Sequence, residues 1–250
     1  MSDHWYTQLG EPAYGATLKE ARERRLVPSV TTVLGIKRAP GLEWWKVSQH
    51  LAVAHEMQPD SMSLTEWERA VRAETKVRMS EAPDIGSAYH DALEAETAKM
   101  LGKIDRYTPS PFVDTRAVRA AMDWLEAQEI VPVAAEVPFA HPLGFGGKVD
   151  LIGKRKGRSV VLDYKTSETS GKGFRFYPEY CAQLAAYGEG VFLPKSSRIS
   201  LIISRDEPGR VQSKTWTPGE VARRWEEFKH LLEVWKINNN HDPSWEVNVQ

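Results

Sequence analysis

The stretch VVLDYKTS (160–167) sets an acid and a lysine two residues apart inside an otherwise apolar strand. Alternation along a strand puts Val161, Asp163 and Lys165 on one face and Val160, Leu162 and Tyr164 on the other. Opposite charges sharing a sheet face can be no more than a salt bridge. The spacing Asp/Glu-x-Lys occurs three times in the chain. Glu74/Lys76 and Glu227/Lys229 fall in expected helices, where residues two apart do not face each other. Asp163/Lys165 lies on a strand, and the strand before it supplies a second acid. Over GKVDLIG (147–153) alternation groups Lys148, Asp150 and Ile152, and a hairpin would set Asp150 beside Asp163. Two partly desolvated carboxylates repel each other. A hard divalent cation such as Mg²⁺ or Mn²⁺ prefers oxygen ligands and resolves the conflict, and Lys165 alone would also resolve it.

Outward from that hairpin the pattern is α/β. VAAEVPF (133–139), GKVDLIG and SVVLDYKT (159–166) are three strand candidates joined by the short turns HPLGF and KRKGR, as in an antiparallel meander. IGSAYHDALEAETAKM (85–100) and DTRAVRAAMDWLEAQE (114–129) precede them as amphipathic helices, with a break expected at Pro83. PEYCAQLAAYGEG (178–190) follows as a helix with Pro near its start and Gly at its end. RISLIIS (198–204) and RVQSKTW (210–216) read as two more strands, and Thr217 to Glu220 caps a last helix ending near Asn238. Upstream, Thr17/Glu20 and Ser63/Glu66 have capping-box spacing, and Ser29 caps PSVTTVLG with Val30, Val33 and Leu34 facing inward. The expected organisation is a helical lobe (1–82), an α/β core with a mixed sheet (83–240) and a polar tail (241–250).

Composition bounds the chemistry. The 250 residues are 41% hydrophobic and 27% charged with a net charge of −1, which suits a soluble globular chain. No run approaches a bilayer span, and MSDHWYTQLGEP lacks the pattern of a secretory signal, so the expected setting is cytoplasmic, a host cytoplasm if phage-encoded. Cys181 is the single cysteine, which excludes an intrachain disulfide, a Cys-based zinc site and an iron–sulfur cluster. Net charge does not advertise nucleic-acid binding, yet KRKGR (154–158) and GKGFRFY (171–177) are local basic clusters. In the second, Lys172 and Arg175 alternate with Phe174 and Phe176, a composition that pairs phosphates with cations and bases with rings.

Further along, Gln183 and Tyr187 stand four apart on one helix face with Tyr180 on the same side, and His90 sits among small residues in IGSAYHDALE. The ordered series His90, Asp150, Asp163-Tyr164-Lys165, Gln183-x-x-x-Tyr187 resembles the PD-(D/E)XK nuclease superfamily, in its RecB-type exonuclease branch. PSVTTVL is similar to the N-terminal segment of the mitochondrial genome maintenance exonuclease and its phage relatives. Val149 replaces the proline of the superfamily's name. The resemblance implies a restriction-endonuclease-like core and a metal-dependent DNA exonuclease acting on free ends or single strands in recombination, repair or phage genome processing. It implies one or two Mg²⁺ or Mn²⁺ ions on His90, Asp150, Asp163 and the Tyr164 carbonyl. Lys165 would orient or deprotonate water, or neutralise the developing oxyanion, while Gln183 and Tyr187 position strand or water. Glu136 is an auxiliary candidate at the edge of the site. A recombination protein is an expected partner. ATP is not, since GFGGKVD lacks the Ser/Thr of a phosphate-binding loop. A structure-specific or nicking endonuclease and a catalytically silent DNA-binding subunit are the alternatives.

Overall fold

The structure is a computed structural model that describes residues 4–37, 40–59, 62–171 and 173–246. Its elements run β1 (Trp5–Tyr6), α1 (Leu18–Arg24), β2 (Val27–Pro28), α2 (Val30–Leu34), α3 (Pro40–Glu56), α4 (Leu64–Met100) and α5 (Thr115–Ala127). They continue with β3 (Ile130–His141), β4 (Phe145–Arg155), β5 (Arg158–Ser167), α6 (Pro178–Gly190), β6 (Ser197–Ser204), β7 (Val211–Trp216) and α7 (Pro218–Asn238).

β3 to β7 form one sheet in sequence order. β3, β4 and β5 are the antiparallel meander, β6 runs parallel to β5 across the α6 crossover, and β7 returns antiparallel. The sheet is therefore mixed, as expected. Lys156 and Gly157, both at positive φ (49° and 78°), make the tight β4–β5 turn inside KRKGR. Two positive-φ residues match the right-handed twist of the flanking strands, which is why so short a connection suffices.

Each face of the sheet carries its own core. Val161, Ile152 and Val149 pack with α2, α6 and α7 through Val33, Leu184 and Phe228. Val160, Leu162 and Tyr164 pack on the other side with Leu93 of α4 and with Ala117 and Leu125 of α5. The two faces read from VVLDYKTS are thus the two cores of the protein. Alternation fails in β4, however: Val149 joins the core of Ile152, whereas Leu151 joins the opposite one. Beside that break, Glu136 of β3 has φ 51°, an uncommon backbone state for a residue with a Cβ.

Three local expectations change. α4 runs unbroken from Leu64 to Met100, through Pro83, where a break was expected. A proline removes one helical hydrogen bond, but ending one helix and starting another carries the cost of a new nucleus. Residues 5–34, expected within a helical lobe, place Trp5, Leu26, Val30 and Val33 fully buried in the core of α6 and α7, and Trp5–Tyr6 pairs with Val27–Pro28 as a small second sheet. In the expected polar tail, His241 is buried with its Nε2 2.7 Å from the Leu26 carbonyl, and the Trp245 N–H donates to the Pro142 carbonyl at 3.0 Å. Capping boxes form at Thr17, Ser63 and Thr217, and Ser29 caps α2.

Candidate active site

The β4–β5 ladder ends at Leu151↔Leu162, one residue short of Asp150 and Asp163. There a side chain replaces the backbone: Asp150 Oδ2 accepts the Tyr164 N–H at 2.8 Å. The strands separate beyond this point, and their two aspartates stand at the mouth of the split. His90, on the part of α4 that packs against the sheet, approaches the same oxygen, with Nδ1 at 3.5 Å from Asp150 Oδ2.

Asp163 is 1% exposed. Lys165, two residues on along the same strand face, hydrogen-bonds its Oδ1 at 2.8 Å. The ammonium also lies 2.6 Å from Oδ2, but as a charge contact, because Oδ2 accepts no hydrogen bond. Burial pushes the Asp163 carboxyl up to about 6, Lys165 pulls against that rise, and the Asp150 carboxylate adds to it. One lysine does not neutralise the corner.

The lysine is held from the helix side. Its Nζ donates to Gln183 Oε1 at 3.1 Å, Gln183 Nε2 donates to the Tyr187 hydroxyl at 2.8 Å, and the Tyr180 ring lies 5.4 Å from the ammonium. Burial raises the Tyr187 hydroxyl well above its ordinary value and the Tyr180 hydroxyl to about 12, so both remain neutral at ordinary pH. The glycines before Asp150 serve packing rather than phosphate binding: a Cβ on Gly147 would sit 3.0 Å from the rings of Phe139 and Tyr187. β4 can pass beneath Tyr187 because Gly147 presents no side chain.

Glu136 lies between Ala135↔Leu151 and Val137↔Val149, in register opposite Asp150, and is ion-paired with Lys148. Of the loop after β5, Thr169 and Ser170 donate backbone N–H groups to Asp206 at 2.8 and 3.0 Å, which pins its start to the β6–β7 turn. No local pattern in the sequence announces that anchor. Arg175 is exposed, Phe176 packs on the core, and Phe174 lies under the Arg210 guanidinium at 5.3 Å. Lys172 lies outside the described residues.

His90, Asp150, Asp163, Tyr164, Lys165, Gln183 and Tyr187 are therefore contiguous, each touching or electrostatically coupled to the next. Among the described residues, no three His, Cys, Asp or Glu side chains already converge as a metal cage, and Lys165 engages Asp163. A divalent cation nonetheless suits the donors present. They are two carboxylates in one buried corner, one with an oxygen lacking a hydrogen bond, beside an imidazole and a strand backbone.

A family model described as the PD-(D/E)XK nuclease superfamily matches residues 63–191, a little over half of the chain. Among solved structures the chain is similar to one titled "Crystal structure of SSO0001", at 17% identity over 59% of this chain and 72% of that one, with a TM-score of 0.29. No curated protein matches. The chain belongs to the PD-(D/E)XK nuclease superfamily, whose members typically use divalent metal ions to cleave nucleic acid.

Proposed function

We propose that the protein is a Mg²⁺- or Mn²⁺-dependent DNA exonuclease that attacks free ends or single strands in recombination, repair or phage genome processing. Superfamily membership implies metal-dependent nuclease activity with DNA as substrate. The metal-dependent part of this reading is supported by one observation above all: the continuous series of contacts and electrostatic couplings from His90 through Asp150, Asp163 and Lys165 to Gln183 and Tyr187.

Asp150, Asp163, the Tyr164 carbonyl and His90 would hold the cation. Bound there, it would supply Lewis-acid stabilisation of the phosphodiester and a more acidic water. The protein's own groups do the rest. Lys165 keeps its ammonium between a carboxylate and a glutamine, where it can neutralise charge growing on the phosphate or orient water. Gln183 fixes that lysine, and Tyr187, neutral and buried, fixes Gln183. Glu136, opposite Asp150, holds Lys148 at the rim. Arg175, exposed in the loop after β5, would meet backbone phosphate.

The test uses 5′- and 3′-labelled linear DNA, single- and double-stranded, beside covalently closed circles, in Mg²⁺, Mn²⁺ or EDTA. Degradation of linear DNA from its ends, dependent on the metal and sparing closed circles, is the expected result. Cleavage of the circles would replace the exonuclease reading with an endonuclease one.

A further inference from the structure

The aromatic side chains of the β5–α6 loop differ in what they are free to do. Phe176 is packed against the core and Phe174 carries Arg210 on its face, so both rings are already engaged within the protein. Tyr177 is not engaged in that way. Its side chain is 47% exposed although its backbone is fixed at the first turn of α6. It is the N-cap residue, with φ −87° and ψ 146°, and its carbonyl accepts the Tyr180 N–H at 3.0 Å. Pro178 follows, and the residue before a proline is held in extended conformations. An exposed ring on a backbone that cannot turn is preorganised for contact.

A single exposed tyrosine is ordinary. What distinguishes Tyr177 is the ring behind it. Tyr180 meets Tyr177 edge to face, with centroids 5.4 Å apart and planes at 86°. Tyr180 is the ring whose face lies 5.4 Å from the Lys165 ammonium, and that ammonium is hydrogen-bonded to Asp163. The surface tyrosine is therefore one ring removed from the lysine at the centre of the site. The charges around it suit a phosphate backbone. Glu179 is ion-paired with Lys37 at 3.2 Å, whereas Arg175 is exposed and has no ion-pair partner among the described residues.

Resting on the nuclease reading above, we propose that Tyr177 is the platform on which the nucleobase flanking the scissile phosphate stacks, with Arg175 contacting the neighbouring phosphate. Stacking on a ring accepts any base, because every base has a π-face. It also requires a base whose own face is free. In a duplex both faces are covered by neighbouring pairs, so a platform at this position selects single strands and frayed ends without selecting sequence. Specificity of that kind needs no hydrogen-bond reader at the site.

The experiment follows degradation of end-labelled single-stranded oligonucleotides in Mn²⁺, each lacking one base at a defined position. The wild-type chain should pause at one fixed distance from the missing base, with kcat/KM lowered roughly 5- to 150-fold at that step, the range for losing one base–aromatic stack. Tyr177→Ala should lose a similar factor on intact DNA, mostly in KM, and show no pause at the abasic position. Tyr177→Phe, which keeps the ring, should restore the pause. Far-ultraviolet circular dichroism checks that each variant is folded. A pause that survives in Tyr177→Ala, or intact DNA degraded by that variant at the wild-type rate, would overturn the platform and leave the nuclease reading standing. A wild-type chain that cleaves none of the substrates would remove the nuclease reading and the platform together.

Discussion

Replacing Asp163 with asparagine probes the electrostatics of the site with no DNA present. The carboxyl is buried beside Asp150, and together they hold it at about 6, against an ordinary 3.8, despite the opposing pull of Lys165. Between those values the folded chain keeps a proton that the unfolded chain has released, so stability falls as pH rises through the window and the loss is complete above about 6. Moving one carboxyl by that much corresponds to about 3 kcal/mol. Asp163→Asn keeps the shape and removes the charge. Lys165 then retains Gln183 and the Tyr180 ring, and its side chain is 21% exposed, so water can solvate it. Urea unfolding in EDTA should show the two proteins alike near pH 3.5. By pH 7.5 the variant should be ahead by about 3 kcal/mol, or roughly 6–12 °C in Tm for a chain of this size. Saturating Mn²⁺ should reverse the order by stabilising the wild type, by about 4 kcal/mol at a thousandfold excess over Kd. A variant no more stable than the wild type at pH 7.5 in EDTA would mean that the Asp163 carboxyl is not destabilised by its burial beside Asp150.

Other perturbations separate the remaining parts. Lys165→Met keeps the aliphatic stem but removes the ammonium; cleavage should fall roughly 100-fold or more while calorimetric Mn²⁺ binding persists. Asp206→Ala releases the N–H groups of Thr169 and Ser170, so limited proteolysis should nick residues 168–177 faster and KM for DNA should rise more than kcat falls. Gly188→Ala would drive a Cβ into the guanidinium of Arg198. That arginine is 1% exposed and donates to the carbonyls of Leu193, Pro194 and Ser196, so it cannot step aside. The expected loss is about 3 kcal/mol in denaturant unfolding.

What was legible in the sequence had a local cause. VVLDYKTS separates into its two faces because period-2 alternation survives in a strand covered on both sides, and the helix starts follow from hydroxyl caps three residues before a glutamate. The contiguity of Asp150, Lys165 and Gln183 was readable because a short hairpin and one crossover helix leave little freedom in placing them. What was hidden depends on contacts between distant segments. Val149 leaves the expected alternation beside Glu136, whose positive φ no pattern announces. Trp5–Tyr6 and Val27–Pro28 are too short to show a period, yet they close over the core of α6 and α7. Pro83 looks like a boundary until the cost of a second helix start is considered. Phe174 and Phe176 looked like free rings because their sequence could not show Arg210 or the core against them.

The most direct measurement is Mn²⁺-dependent release of label from linear DNA by the wild type and by Asp163→Ala, with circular dichroism showing that both are folded. The wild type should degrade DNA in a metal-dependent way, and the variant should show none above the EDTA background. Undiminished degradation by folded Asp163→Ala would mean that the paired aspartates are not where the chemistry happens.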